Sequence, residues 1–351
     1  MKYVAAYSAT PDGRIVMDAA ISAGSREIWS DKADFDPSDA GKIIAVEGAG
    51  EFGHPLISYI ESINVAGHRA TVQLSATSSV ANKTCAIGKD NTATLQNAIN
   101  DAQGDTLVFE RGMYAHKALD ITNRKAMVLQ GSGPAYQGTQ LLPLVQGWPA
   151  MDFSGTPALQ LRGLTIGYRF NPCVPCVAIL RAPTMQSPGL DFDHHSDLMV
   201  TGRYTIAPWY NFGAGSGQMD RCAFWNFYAG ADGERHAAVC SLDNSFGVAS
   251  AFTQLATSGS CNLWTLNGCE FHYYSGQSGM QFAPILFRGA TDYAFNGGII
   301  SGSSTLVACK DPTGQTPPRR ITGLSVRFEN EQGTPMATHI FNLLSNLEDA
   351  H

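Results

Sequence analysis

A short pattern of apolar and polar residues recurs along the second half of the chain. An apolar residue is followed by a polar one, usually by a glycine, and then by an apolar, variable, apolar triplet. The copies are Leu161-Arg-Gly-Leu164-Thr-Ile166, Met219-Asp-Arg-Cys222-Ala-Phe224, Leu266-Asn-Gly-Cys269-Glu-Phe271 and Ile321-Thr-Gly-Leu324-Ser-Val326. Alternation with a period of two is typical of a half-buried strand, and the glycine suits a tight bend with positive φ. Each copy therefore predicts a short strand that is entered through a turn.

The spacing of the copies predicts a solenoid. Weaker copies at Val200 and Leu242 bring the interval close to one supersecondary repeat of about 20 to 30 residues, the length of one coil of a parallel β-helix. The 36 glycines among 351 residues, with 15% charged residues, indicate many turns and few solvated helices. We therefore expect an all-β fold built on a parallel β-helix.

Residues 28 to 86 follow a different pattern. Short apolar stretches at 43–46 and 70–74 alternate with glycine-containing turns. This arrangement predicts a small β-barrel or sandwich of about five short strands, appended to the solenoid.

An amphipathic helix is predicted directly after this unit. Asp90-Asn-Thr is a suitable cap for its N-terminus, and the apolar positions that follow have the i, i+3, i+4, i+7 spacing of one helix face. These positions are Leu95, Ala98, Ile99 and Ala102. Because the open end of a solenoid exposes apolar core and unpaired strand edges, we expect the helix over 91–103 to cap that end.

Charge and hydropathy argue against two classes of partner. The net charge is −7 and no run of Lys or Arg occurs, so the basic surface that nucleic-acid binding needs is missing. No stretch approaches the roughly 20 apolar residues of a membrane span. The N-terminal residues carry a single basic residue and a short apolar run, from which we expect no signal peptide.

The eight cysteines do not predict a disulfide scaffold. Cys222 and Cys269 occupy the same inward position of two copies of the pattern, which favours buried core thiols. Cys173-Val-Pro-Cys176 has the spacing of a zinc or redox site, but no second such pair and no histidine pair accompanies it. We therefore expect no metal and no cofactor.

Three motifs carry a resemblance to a known family. They are Asp90-Asn-Thr-Ala-Thr-Leu-Gln-Asn-Ala-Ile, Leu107-Val-Phe-Glu-Arg-Gly112-Met-Tyr114 and Leu129-Gln-Gly-Ser-Gly133. Together they resemble the opening of pectate-lyase-like right-handed parallel β-helix proteins, although Asn91 and Glu110-Arg111 depart from the usual pattern. The β insertion, which opens with Phe35-Asp-Pro-Ser-Asp39-Ala-Gly41-Lys42, is similar to that of phage or prophage tailspikes. The match covers about residues 7 to 133, and beyond them only the architecture agrees.

The resemblance implies a fold and a function. It implies a small N-terminal β domain within 1–89 that attaches to a phage tail or baseplate protein, and a right-handed β-helix with a capping helix over 90–351. The protein would be a homotrimer, made in the host cytoplasm and assembled into a virion. It would bind a bacterial surface polysaccharide at the cell surface and depolymerise it. The alternative is a structural or receptor-binding tail protein of the same fold without catalysis, and a free secreted lyase is disfavoured because no signal peptide is expected.

The register of the repeats places candidate site residues on one face. If Cys269 and Phe271 point inward, then Glu270 and His272 point outward, because side chains alternate along a strand. By the same register Trp225 lies on an earlier coil, and Arg327 and Glu329 lie on a later one. Coils stack about 4.8 Å apart, so these five residues could line one strip.

Such a strip contains the chemistry of a glycan groove. An indole covers a sugar ring, Glu270 and His272 could act as acid or base, and Arg327 could hold an anionic group such as a uronate. Glu329 is expected four residues further along its strand than Glu270, about 13 Å away, too far for a hydrolytic carboxyl pair. The plain alternative is a solvated outer face.

Further carboxylates and cations lie in predicted loops. The gap between two copies of the pattern predicts a loop over about 171–196, which holds Asp191 and Asp193 as candidate catalytic groups or as ligands of a divalent cation. A second loop, 232–236, offers Arg235 for substrate binding. Both loops could equally be solvated polar segments. The acidic and amide residues Asp220, Asp243 and Asn267 are expected to stack at turns and to bond the local backbone.

Overall fold

Parallel strands dominate the computed structural model, in which the chain forms the right-handed parallel β-helix expected from the sequence, preceded by a small barrel and a capping helix. The structure describes residues 1–134, 138–145, 149–168, 170, 177–182, 184, 192–202, 207–212, 216–226, 240–243, 262–273, 285–288, 291–302, 305–309, 319–330 and 339–343. Within this part of the chain no helix is long and apolar enough to cross a membrane.

Six antiparallel strands close the N-terminal barrel. The first strands of the chain are β1 (Lys2–Tyr3), β2 (Arg14–Ile21), β3 (Glu27–Trp29), β4 (Ile43–Val46), β5 (Leu56–Asn64), β6 (Arg69–Val72) and β7 (Val80–Gly88), with short 3-10 helices at Val4–Tyr7, Pro37–Asp39 and Glu51–Gly53. The barrel has the order β2-β3-β6-β5-β4-β7 and encloses its own core, which includes Ile28, Ile44 and Val72. It begins at Arg14, earlier than the predicted start at residue 28, because β2 closes the barrel against β7.

Helix α1 (Thr92–Asp101) follows the barrel and buries Leu95, Ala98 and Ile99 in the solenoid core. The solenoid strands are β8 (Thr106–Val108), β9 (Gly112–His116), β10 (Leu119–Asp120), β11 (Val128–Gln130), β12 (Thr139–Pro143), β13 (Met151–Asp152), β14 (Gln160–Arg162), β15 (Leu164–Tyr168), β16 (Val177–Arg181), β17 (Asp193–Ser196), β18 (Met199–Gly202), β19 (Ala207–Phe212), β20 (Gly217–Asp220), β21 (Ala223–Asn226), β22 (Cys240–Asp243), β23 (Asn262–Asn267), β24 (Glu270–Tyr273), β25 (Ile285–Arg288), β26 (Thr291–Asn296), β27 (Ile299–Gly302), β28 (Thr305–Cys309), β29 (Arg319–Leu324), β30 (Arg327–Asn330) and β31 (His339–Leu343).

Every third solenoid strand belongs to the same sheet. The first sheet contains β1 and every third strand from β8 to β29. The second contains every third strand from β9 to β30, and the third contains every third strand from β10 to β31. Each coil thus contributes one strand to each of three faces. Inward side chains stack from coil to coil; in the second sheet the buried column includes Ile166, Val200, Phe224, Phe271 and Ile300.

The outer edges of the three strands in the first coil are each covered by another part of the chain. β1 pairs with β8, and Gly13 N donates to the carbonyl oxygen of Met113 in β9 at 2.8 Å. At β10 the amide side chain of Gln96 bonds the backbone of Asp120 twice, donating to its carbonyl at 2.6 Å and accepting from its N–H at 3.0 Å. The helix therefore covers the apolar end, as predicted, and also supplies hydrogen bonds that a further strand would make.

A left-handed corner separates the first and second sheets in six coils. The residues at this corner are Gly163, Asp197, Arg221, Gly268, Gly297 and Ser325, with φ between 50° and 72°. The predicted glycine turn is confirmed at Gly163 and Gly268. In the last coil Ser325 takes the corner, and Gly323 lies two residues earlier, inside β29. Backbone hydrogen bonds to the neighbouring coil, from Asp197 N to Asp220 O and from Arg221 N to Asn267 O, hold a conformation that non-glycine residues seldom adopt.

The inward thiols are confirmed as core groups. Cys222 and Cys269 are buried and directly precede β21 and β24, two neighbouring strands of the second sheet. The Sγ of Cys269 lies 3.4 Å from the carbonyl oxygen of Met219. The rings of Phe224 and Phe271 stack beside them with centroids 5.5 Å apart. The four-residue motif from Cys173 to Cys176 lies outside the described residues.

Contacts between charged and polar side chains join the barrel to the solenoid. Tyr59 of the barrel donates its hydroxyl to Asp90 Oδ2 at 2.6 Å and accepts a bond from Lys117 Nζ at 2.7 Å. Lys42 Nζ lies 2.9 Å from Asp12 Oδ2. These bonds fix the barrel against the first coil.

Candidate functional site

Two columns of positions run side by side along the outer face of the second sheet. The first column contains Met199, Ala223, Glu270, Ile299 and Arg327, and the second contains Thr201, Trp225, His272, Ser301 and Glu329. Consecutive members are hydrogen-bonded neighbours on adjacent coils, about 4.8 Å apart. The five residues expected to form one strip therefore occupy two adjacent columns of a single sheet.

The described side chains of this strip differ in exposure. Glu270 and Trp225 are half-buried, and Arg327 is exposed. Thr201 and Ser301 also lie on the outer face but are buried, so this face is partly sheltered. The backbone beneath is well anchored, since Glu270 N donates to Cys222 O at 2.8 Å and Arg327 N donates to Gly298 O at 2.9 Å. His272 and Glu329 are placed through the register of their strands.

The expected offset between Glu270 and Glu329 is wrong. Glu329 pairs through Ser301 with His272, so it lies two residues, not four, beyond the Glu270 column. The error arises because Ser325, not Gly323, turns the last corner, which shifts the register by two residues. Two coils and two residues separate the backbones of the two glutamates by about 12 Å at the usual spacings. Long side chains could span part of that distance.

The predicted loop over 171–196 is partly wrong. Residues 177–181 form β16 and residues 193–196 form β17, each paired in a parallel sheet. Asp191 and Arg235 lie outside the described residues. Asp193 is therefore a strand residue, and its side chain points into the solenoid.

Asp193 is held by an internal arginine. Arg181 donates from Nε and from its second terminal nitrogen to the two carboxylate oxygens, each at 2.8 Å, and both residues are essentially inaccessible to solvent. Asp193 Oδ1 also accepts from Leu159 N at 2.8 Å. Burial raises the pKa of Asp193, but the attraction and the hydrogen bonds of Arg181 outweigh burial, and the net pKa is lowered. This geometry gives Asp193 a structural role and separates it from the strip.

His195 lies in an aromatic layer beside this ion pair. Its ring centroid is 4.8 Å from that of Trp209 and 6.4 Å from that of Trp264. Its Nδ1 accepts a bond from Leu161 N at 3.2 Å, which places the ring proton on Nε2. Burial lowers the pKa of His195, more than the neighbouring Asp193 raises it. His195 is thus a neutral core histidine.

A polar cluster on the outer face of the first sheet joins His194 and Gln218 to the predicted turn residues Asp220 and Asn267. His194 Nε2 is 2.7 Å from Asp220 Oδ2, and Asp220 also accepts from Gln218 at 2.8 Å and from Asn267 at 2.7 Å. Burial raises the pKa of Asp220, but these hydrogen bonds together outweigh burial. The net pKa is lowered, so the carboxylate form is favoured. The sequence did hold a signal for the position of His194. In a strand with alternating sides, Asp193 and His195 point into the solenoid and His194 points to its outer face.

The expected stacking of polar turn residues is confirmed for two of its three members. Asp220 and Asn267 bond each other, and Asn296 continues the ladder by donating to Asn267 Oδ1 at 2.9 Å. Asp243 does not belong to it, because β22 is in the third sheet, where Asp243 pairs with Phe212 and Arg288. A constant sequence interval did not imply the same face, because the coils differ in length.

Among the described residues, no group of three or more His, Cys, Asp and Glu side chains could hold a metal ion.

Comparison with known proteins gives only distant matches. No protein-family model matches the chain, and no curated protein matches its sequence. Several solved structures resemble it. They include phage tailspikes, a mannuronan C-5 epimerase from Azotobacter vinelandii and the catalytic domain of an α-1,3-glucanase.

Three examples come from viruses of bacteria. The ORF18 protein of Geobacillus virus E2 is 14% identical, with 74% of this chain and 59% of that chain covered and a TM-score of 0.30. The enzymatically active domain of bacteriophage CBA120 tailspike protein 2 is 9% identical, with 88% and 48% covered and a TM-score of 0.42. The Gp54 tailspike of Acinetobacter baumannii bacteriophage AP22, solved with a capsular saccharide, is 9% identical, with 95% and 64% covered and a TM-score of 0.27. This chain thus spans about half to three fifths of the length of the first two.

Proposed function

We propose that this chain is a phage or prophage tailspike-like protein that binds a bacterial surface polysaccharide and depolymerises it. The observation that carries the proposal is the register of the second sheet, which aligns the positions of Trp225, His272 and Glu329 in one column beside the column of Glu270 and Arg327. A regular stack of coils offers a repeating polymer a long, rigid surface. Sites on such a scaffold need little reorganisation on binding.

Each residue of the strip has a role in the proposal. Trp225 stacks on a sugar ring, and Arg327 holds an anionic substituent. Glu270 is the acid or base, with His272 or Glu329 completing the catalytic group. Hydrolysis would use two carboxyl groups, whereas elimination from a uronate would use His272 as base with the charge neutralised by Arg327. Asp191 and Arg235 remain proposed contributors, and Asp193 is no longer one.

The assembly is also part of the proposal. The chain forms a homotrimer, and the barrel attaches it to a phage tail or baseplate protein. Synthesis in the host cytoplasm and action at the cell surface follow from that placement. Sedimentation analysis of the full chain tests the trimer directly, and a monomer would contradict it.

The decisive experiment measures chain length of candidate host glycans. Purified protein is incubated with capsular and lipopolysaccharide preparations, and the products are followed by size-exclusion chromatography, with ultraviolet absorbance for unsaturated uronates. Glu270→Gln should abolish shortening and retain binding. Glu110→Gln, an exposed glutamate on the first coil, is the matched control and should behave as the unaltered protein. Binding without shortening on the correct host would make the chain a receptor-binding spike and overturn the catalytic proposal.

A further inference from the structure

An open cleft lies on the outside of the barrel, away from the strip on the solenoid. Its volume is about 580 Å³, within the range of about 300–1,000 Å³ that small-ligand sites occupy. The lining residues are Ala20, Ile21, Ser22, Ser25, Glu27, Trp29, Arg69, Ser79, Val80 and Ala81. Half of them are alanine or serine, and Trp29 supplies the single aromatic ring.

The ring of Trp29 is left partly uncovered by its neighbours in the barrel. Ile28, the preceding residue, points into the barrel core, so Trp29 points outward with 38% of its surface exposed. Its cross-strand partners are Ala20 on β2 and Arg69 on β6. An alanine at this position leaves one side of the indole open. A large exposed indole in a concave site is typical of a binding surface.

Polar groups surround the ring with unused hydrogen-bonding capacity. Arg69 donates to Glu27 Oε2 at 2.5 Å, a bond that uses one of the five guanidinium N–H groups. Ser25 accepts from Glu27 N at 2.9 Å and Ser79 accepts from Ala23 N at 2.8 Å. Each bond uses a lone pair of a serine oxygen and leaves the hydroxyl proton to be donated. The lining therefore combines an apolar face with several directional donors and acceptors.

We infer that this cleft is a second glycan-binding site, which takes a neutral saccharide stacked on Trp29. One Glu and one Arg give the lining no net charge, which suits a neutral sugar over an anionic one. The stacked ring with hydroxyl-directed polar groups matches the alternating apolar and polar surfaces of a pyranose. A peptide added as a strand is disfavoured, because the closed barrel has no free strand edge. If the proposed function also holds, two sites on one chain would retain the polymer by avidity.

Saturation-transfer NMR on the full chain tests the inference. The probes are maltose, lactose, cellobiose and N,N′-diacetylchitobiose, followed by a glycan array. At least one neutral sugar should bind, and Trp29→Ala should weaken that binding at least tenfold. Phe52→Ala, which removes an exposed aromatic ring of the barrel outside the cleft, is the matched control and should leave it unchanged. Ala81→Gln, which fills the cleft and leaves the indole in place, should also block the sugar and guards against misfolding of the first variant.

The alternative outcomes are distinct. Sugar binding that is lost in Trp225→Ala but not in Trp29→Ala would place the ligand on the solenoid and overturn the inference. Absence of binding to every neutral probe, with folded protein, would overturn it as well. Loss of depolymerisation in Glu270→Gln concerns the proposed function alone and leaves the cleft untouched.

Discussion

The guanidinium of Arg181 donates two hydrogen bonds of 2.8 Å to the carboxylate of Asp193 inside the solenoid. Arg181 ends a strand of the third sheet, and Asp193 begins the strand of the first sheet on the next coil. Arg181 also donates to the carbonyl oxygens of Phe153 and Thr156, at 2.5 and 2.8 Å. The pair thus ties two faces and two coils together where the apolar stacking is interrupted.

Removal of one partner of this pair should destabilise the protein severely. Asp193→Asn leaves the Arg181 charge buried without its counter-ion, and we expect a loss of about 3–5 kcal/mol in the free energy of unfolding. Urea unfolding followed by circular dichroism measures it. The matched control is Asp197→Asn, which breaks the exposed pair with Arg221 and should change stability by about 1 kcal/mol or less. Equal effects at the two sites would contradict the structural role given to Asp193.

Two adjacent glycines should respond very differently to alanine. A Cβ on Gly298 would lie 2.1 Å from the carbonyl oxygen of Cys269, so Gly298→Ala should prevent the last coils from stacking. A Cβ on Gly297 would meet no atom within 4 Å, and only its positive φ opposes alanine. Gly297→Ala should therefore destabilise by about 1–2 kcal/mol. Thermal unfolding of the two variants checks this, and a tolerated Gly298→Ala would show that the register of β27 is different.

Stability should fall in mild acid because of His116. Its Nδ1 donates to the Lys117 carbonyl oxygen at 2.5 Å, and its Nε2 is buried without a hydrogen-bond partner. Burial lowers the pKa of His116 from 6.5 to about 4. Between these two pH values His116 is protonated in the unfolded chain but not in the folded chain. The free energy of unfolding therefore falls as the pH falls from 6.5 towards 4, by up to about 3 kcal/mol.

The variant His116→Asn isolates this contribution. An asparagine amide can donate to the same carbonyl oxygen but does not titrate. The difference in unfolding free energy between about pH 7 and about pH 5 should shrink in the variant. An unchanged pH dependence would mean that other groups cause the acid sensitivity.

Three buried thiols should resist alkylation in the native protein. Burial raises the pKa of Cys85 to about 12, and burial next to Cys269 raises the pKa of Cys222 well above its ordinary value. Cys269 is also buried. Iodoacetamide near neutral pH should leave these three unlabelled, as read by peptide mass spectrometry, and should label them once guanidinium unfolds the chain. Rapid native labelling of Cys222 would contradict the stacked core.

The fold was predictable where strands were half-buried. Alternation around Phe224 and Phe271 gave the correct inward face, and the apolar spacing of Leu95, Ala98 and Ile99 gave the capping helix. The strand at 177–181 in the third sheet was not predictable, because this run is buried on both faces and does not alternate. A buried run of this kind carries no period-two signal.

The alignment of the candidate site residues could be predicted only where the corner between the first and second sheets could be recognised in the sequence. Glycine marks a left-handed corner in sequence, but Asp197, Arg221 and Ser325 adopt the same conformation without that mark. The last coil was consequently aligned two residues out of register. Asp193 was misjudged as a loop residue because its ion-pair partner, Arg181, is brought near only by the stacking of coils.

The barrel joins the solenoid by two neighbouring crossings of the chain. The backbone enters at Gly13 and leaves at Gly88, and a Cβ on Gly88 would lie 3.0 Å from Gly13 Cα, so the crossings touch. A single linker would let the barrel swivel about its bonds. Two crossings side by side resist rotation of the barrel. A force on the barrel is also shared between two backbones before it reaches the first coil. The direction of the solenoid's long axis is therefore fixed relative to the barrel.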